Sequence, residues 1–145
     1  MSEVTQTSPP GWFRIAGIVA LLWNAFGIVS YLMHVMQSEA SLAALPADER
    51  ALFESFPAWV NGAFAIAVFA GTAGALGLVR RKRWAVPLVG LSLVAIVLQM
   101  GYTFLASALI DVMGAGAAVL PSVIVIAAAA LFWLARLAST RGWLE

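Results

Sequence analysis

Val79-Arg80-Arg81-Lys82-Arg83-Trp84 sets four consecutive cations between two long apolar runs, Ala58 to Val79 and Trp84 to Ala106. Loops on the cytoplasmic side of membrane proteins collect Lys and Arg. A short basic turn in this setting therefore ends one spanning helix and starts the next on the inner side. Arg80, Arg81, Lys82 and Arg83 are the topology signal from which the other segments can be placed.

Composition points the same way. Of 145 residues, 63% are hydrophobic and 10% charged, against about a quarter charged in soluble domains. A spanning helix takes about 20 residues, so the sequence predicts an all-α polytopic membrane protein. Its four helices run over about 12–36, 57–79, 84–108 and 117–138, up-down-up-down. Seven of the eight Lys and Arg residues (Arg14, the four of the turn, Arg136 and Arg141) then share one side. Glu39, Asp48, Glu49, Arg50, Glu54 and Asp111 take the other. Both termini, residues 1–11 and 139–145, are expected as cytoplasmic tails, with Trp143 at the interface. The pattern lacks a basic n-region and a small-residue cleavage site, so the first apolar segment is expected to be retained. Cysteine is absent, which excludes disulfides and thiol chemistry. The basic excess is topological and gives no reason to expect nucleic acid.

In the first helix, Gly17, Ala20, Asn24, Gly27, Tyr31 and His34 fall on one stripe, predicted to face the other helices. Ile18, Leu22, Phe26, Val29 and Leu32 are left for lipid. Residues 37–56 form an outer loop with one short interfacial helix expected after Pro46, where acids occupy the first turn. The second span carries Ala67, Gly71, Gly74 and Ala75, small residues that let another helix approach closely, within the chain or in a second subunit. The third repeats the stripe of the first: a shift of 68 residues lays Gly17, Asn24, Gly27, Tyr31 and His34 on Ala85, Ser92, Ala95, Gln99 and Tyr102. Two similar hairpins related by an axis along the membrane normal would give that pattern.

At about 1.5 Å per residue, Tyr31 and His34 lie close to the outer surface. Asn61, Gln99, Tyr102, Thr103 and Ser122 reach a similar level, while Asn24 and Ser92 lie deeper. Polar side chains inside a membrane usually face the bundle interior or a wet cavity. Two uses of this level are open: interhelical hydrogen bonds, or an outward-facing pocket for a small polar solute. One histidine, even with Met33, Met36 and Met100 near it, is too few ligands for a metal or haem, and no cofactor is expected. No nucleophile-base grouping or phosphate loop occurs, so enzyme chemistry is not expected. The alternative to solute binding or transport is an accessory or assembly subunit of a larger membrane complex, acting through its helix faces.

Trp23-Asn24 with Gly27 and Tyr31-Leu32-Met33, Leu45-Pro46-Ala47-Asp48-Glu49-Arg50-Ala51-Leu52 leading to Pro57-Ala58-Trp59, Arg83-Trp84-Ala85, and Gln99-Met100-Gly101-Tyr102 carry a family resemblance. Over about Trp12 to Phe104 the chain resembles small uncharacterised four-helix bacterial membrane proteins, sometimes automatically labelled sugar transporters. That resemblance implies a bacterial inner-membrane location and supplies no binding residues. A transporter of this size would be expected to work as a homodimer.

Overall fold

The structure, a computed structural model, describes residues 7–145; the part of the expected N-terminal tail before Thr7 lies outside the described residues. Four helices are long and apolar enough to cross a membrane, which makes the chain a multi-pass membrane protein by length and composition. They are α1 (Gly11–Val35), α4 (Ala58–Val79), α5 (Ala85–Leu105) and α7 (Val119–Thr140), the last extended at its start by a 3-10 turn at Ala115–Ala118. Among the described residues there is no strand.

The connections opposite the basic turn hold more helix than the sequence pattern suggests. Two short helices, α2 (Glu39–Ala43) and α3 (Ala47–Ser55), occupy the loop where one was expected. The Ser38 hydroxyl starts α2 by accepting the Ser41 N–H at 3.2 Å, an N-cap. The third span stops at Leu105, short of the expected residue 108. There the Ser107 hydroxyl donates back to the Thr103 carbonyl and accepts the Leu109 N–H, and these local bonds replace the helical ladder. A further helix, α6 (Leu109–Met113), follows and ends at Gly114, whose φ of 82° suits glycine.

In the bundle α4 packs against both α1 and α5, and α7 packs on α5. Ala67, Gly71, Gly74 and Ala75 are all buried in this packing, so their partners are helices of the same chain. On α1, Gly17 and Gly27 admit α4: a Cβ at Gly17 would lie 3.2 Å from Val79 Cγ2, and one at Gly27 3.1 Å from Val68 Cγ1. Ile18, Leu22, Phe26, Val29 and Leu32 are exposed on the outward side of α1, available to lipid. Two similar hairpins related by a two-fold axis would pair α7 with α1 as α4 pairs with α5. The two contacts differ in the structure. The α4–α5 seam is closed by glycines from Gly71 to Gly77, whereas α1 and α7 share a buried cluster only at the basic-turn end. There Phe13, Leu78, Val89, Leu134 and Trp143 form one buried cluster.

The basic turn is itself a structural element. Lys82 N–H bonds to the Gly77 carbonyl at 2.7 Å and Arg81 N–H to that of Leu78 at 3.0 Å, with Arg81 left-handed at φ 59°. This is a Schellman motif with arginine where glycine is usual. The same bonds close α7: Trp143 N–H to the Ala138 carbonyl and Gly142 N–H to that of Ser139, with Gly142 at φ 68°. The second motif turns residues 142–145 back onto the first. Arg83 N–H donates to the Glu145 carbonyl at 2.9 Å, Arg81 Nε to that of Trp143 at 2.9 Å and Arg83 Nε to that of Leu144 at 3.4 Å. Two corrections follow. Residues 139–140 continue the helix, and Trp143 is buried against Phe13, centroid to centroid 5.2 Å, rather than lying at an interface.

Candidate functional site

The polar residues of the spans sort into two levels. At mid-span, Asn24, Gly71 and Ser92 bring α1, α4 and α5 together. Ser92 is buried and donates its hydroxyl hydrogen to the Ala67 carbonyl at 2.7 Å. Asn24 Nδ2 donates to the Ala20 carbonyl of its own helix at 2.8 Å, which leaves its Oδ1 directed at the face of Gly71. The absence of a side chain at Gly71 is what admits both groups. Interhelical hydrogen bonds of this kind are worth about 0.6 kcal/mol. Ser92→Ala should therefore lower stability by roughly that amount, measured by thermal unfolding in detergent, because the Ala67 carbonyl keeps its helical partner.

Nearer the end opposite the basic turn lies a pocket of about 420 Å³. His34, Asn61, Gln99 and Thr103 supply its polar wall from α1, α4 and α5. Phe53 and Phe56 close over it from α3 and its C-terminal flank, and Met113, Gly116 and Pro121 reach it from α6, the 3-10 turn and α7. Leu52, buried, anchors α3 in this position. His34 Nε2 and Asn61 Oδ1 are 3.1 Å apart, a hydrogen bond between α1 and α4 when Nε2 carries the proton. Phe64 lies beside the imidazole, centroids 6.0 Å apart.

Three of the residues expected at this level stand elsewhere. Tyr31 packs edge-on against Phe64 and Phe69, on the outer side of the α1–α4 seam. Tyr102 is turned to Phe56 and Trp59, behind the pocket wall. Ser122 is exposed and donates to the Ala118 carbonyl one turn back, satisfying itself within α7. Helical spacing sets the depth of a residue, whereas its facing depends on which neighbours arrive, and that is why depth alone placed these three in the pocket. Met33 and Met36 are exposed and away from it, while Met100 lines it.

A second cavity, a cleft of about 600 Å³, runs between α1 and α7 over a floor of α4 and α5. Trp23, Phe26, Ile124, Ala127 and Leu131 form its walls, and Asn24, Ser30, Ser92 and Gln99 are its polar points. Phe64, Gln99, Met100 and Leu120 line both cavities, so the two adjoin at Gln99. The half-buried side-chain amide of Gln99 makes no hydrogen bond among the described residues, while its carbonyl accepts from Thr103. An amide at the junction of a polar pocket and an apolar cleft can bind a ligand's donor and acceptor together. The sequence pattern gave no sign of the cleft, because an apolar residue lining a cleft and one facing lipid look alike in a spanning helix.

No group of three or more His, Asp or Glu side chains able to hold a metal occurs among the described residues. Comparison of the chain with protein families, with curated proteins and with solved structures found no match.

Proposed function

We propose that this protein binds a small hydrogen-bonding solute at the pocket formed by His34, Asn61, Gln99 and Thr103, as a binding or transport protein of the membrane. The observation that carries this reading is the side-chain amide of Gln99, which has no hydrogen-bond partner among the described residues and lies where two cavities adjoin. Ligand sites are concave and mostly apolar with a few convergent polar groups, and four polar side chains from three helices converge here. By the positive-inside rule the basic-turn end faces the cytoplasm, together with both termini, and the pocket opens toward the outer leaflet of a bacterial inner membrane. A homodimer, or a place in a larger membrane complex, fits the long exposed faces of α1 and α7. In the pocket His34 pairs with Asn61 and the Thr103 hydroxyl donates to the Gln99 carbonyl, so among the described residues the imidazole does not engage a hydroxyl nucleophile there, which favours binding or transport over catalysis.

Native mass spectrometry of the protein extracted gently from its own membrane tests this. A retained small molecule is expected, and Gln99→Leu should weaken its binding by about fivefold to 150-fold, the ~1–3 kcal/mol cost of a lost hydrogen-bond partner. The same substitution should shift thermal stability by less than about 0.5 kcal/mol, since the amide holds no other part of the fold. A bare chain travelling with a stoichiometric different protein would instead make it an accessory subunit and the polar pocket interhelical glue.

A further inference from the structure

The ligand class can be narrowed from the shape and charge of the adjoining cavities; this step rests on the pocket proposed above. Along α1 the cleft runs from Ala16 to Ser30, and along α7 from Leu120 to Leu134. Fourteen residue steps at 1.5 Å give a trough about 21 Å long, roughly two thirds of a 30 Å hydrocarbon core. The trough lies along the helices, and it is open at its side. Val19, Phe26 and Leu120 belong to its walls and are also among the exposed side chains of the molecule, so the walls reach the lipid-facing surface. At one end the trough reaches Gln99, beside the polar pocket; at the other it is stopped by the cluster around Phe13 and Trp143.

A purely polar solute would leave this trough without a role, and a purely apolar one would leave Gln99 and the His34–Asn61 pair without one. A molecule with a hydrogen-bonding head and one long apolar chain satisfies both. The charge inventory selects the head: among the described residues neither cavity is lined by Asp, Glu, Lys or Arg. A phosphate or carboxylate seated there would be desolvated with no permanent counter-charge, only a histidine that must first take up a proton, which is costly. Hydroxyl, ester or amide groups find donors and acceptors in Gln99, Asn61 and Thr103 without that cost.

We infer that the protein takes an uncharged single-chain amphiphile from the membrane, with its head at Gln99 and its chain in the cleft between α1 and α7. Side entry between α1 and α7 lets the chain leave lipid for the cleft without crossing water.

The test uses the intact protein in nanodiscs with a monoacylglycerol carrying a diazirine midway along its chain. After photolysis, saturable labelling is expected on the cleft walls, at Trp23 and Ile124, competed by unlabelled monoacylglycerol. Ala127→Phe, which puts a ring into the cleft, should reduce that labelling about tenfold or more. Ala129→Phe, on the exposed side of the same helix, should leave it unchanged and serves as the folding control. Gln99→Leu should also weaken it about tenfold, and a fatty acid with the same diazirine chain should label the cleft at least about tenfold less well than the neutral probe. Unsaturable labelling spread over Ile15, Leu22 and Ile126 would overturn the inference. So would a cleft closed to the probe in a protein that cross-links as a dimer through Ala127→Cys, because a second copy would then fill it. If Gln99→Leu still weakens retention of a chainless polar solute in either case, the pocket stands and only the amphiphile falls. If Gln99→Leu changes neither measurement, both fall.

Discussion

Trp143→Ala should destabilise the fold by about 3–5 kcal/mol, the range for removing a buried Trp or Phe side chain. Trp143 is 7% exposed and meets Phe13 and Trp12 at centroid distances of 5.2 and 5.8 Å. It also joins the cluster that holds α1, α4, α5 and α7 together at the basic-turn end, the buried cluster that α1 and α7 share. Losing it removes the ring's contacts and loosens residues 142–145 from Arg81 and Arg83. The ion pairs of Glu145 with Arg81 and Lys82, at 3.5 and 4.0 Å, are partly exposed and cannot compensate, since such pairs contribute at most about 1 kcal/mol. Trp133→Ala, at a position 64% exposed on α7, should change stability by no more than about 0.5 kcal/mol in the same thermal unfolding assay. Equal effects at the two tryptophans would mean that the docked segment adds nothing to the bundle.

The second large effect is expected at Gly74. A Cβ there would lie 2.5 Å from Val89 Cγ2, 3.0 Å from the Val89 backbone nitrogen and 3.3 Å from the Ala85 carbonyl oxygen. A side-chain methyl can rotate aside, but two backbone atoms of α5 can move only if the helices separate. Alanine brings a gain in helix propensity of up to about 1 kcal/mol over glycine. Overpacking costs typically about 1–3 kcal/mol, so the clash wins and Gly74→Ala should lower stability by about 1–2 kcal/mol. Gly74→Leu should force α4 and α5 apart and prevent folding to the native bundle. Gly62→Ala on the same helix meets nothing within 4 Å and should be neutral or slightly stabilising. Unfolding in detergent separates the cases, and a stabilised Gly74→Ala would show that the α4–α5 seam is looser than its geometry.

The sequence resolved the elements whose physics is local. Four runs long enough to span a bilayer need no tertiary information, because in lipid a backbone must satisfy its own hydrogen bonds and a helix does so within the segment. Gly71 and Gly74 were legible as a packing face for the same reason: glycine in a helix interior is costly unless something comes close. His34, Asn61, Gln99 and Thr103 could be placed at one depth by counting residues.

What the residues could not show is who meets whom. Tyr31, Tyr102 and Ser122 share that depth and face elsewhere, because the rotation of each helix is set by its neighbours. The cleft between α1 and α7 is a product of unequal seams. Glycines close α4 on α5, whereas α7 offers Ala127, Ala128 and Ala130 to a space that α1 does not fill. Likewise Arg81 and Arg83 carry charge wherever they stand, and charge was enough to mark the turn. Their second task, holding residues 142–145 against it, exists only because two helix ends more than 60 residues apart in sequence lie side by side in the fold. Length and apolarity thus determined that this chain crosses the membrane. Which side chains enclose space, and which merely face lipid, was decided by the packing of one helix on the next.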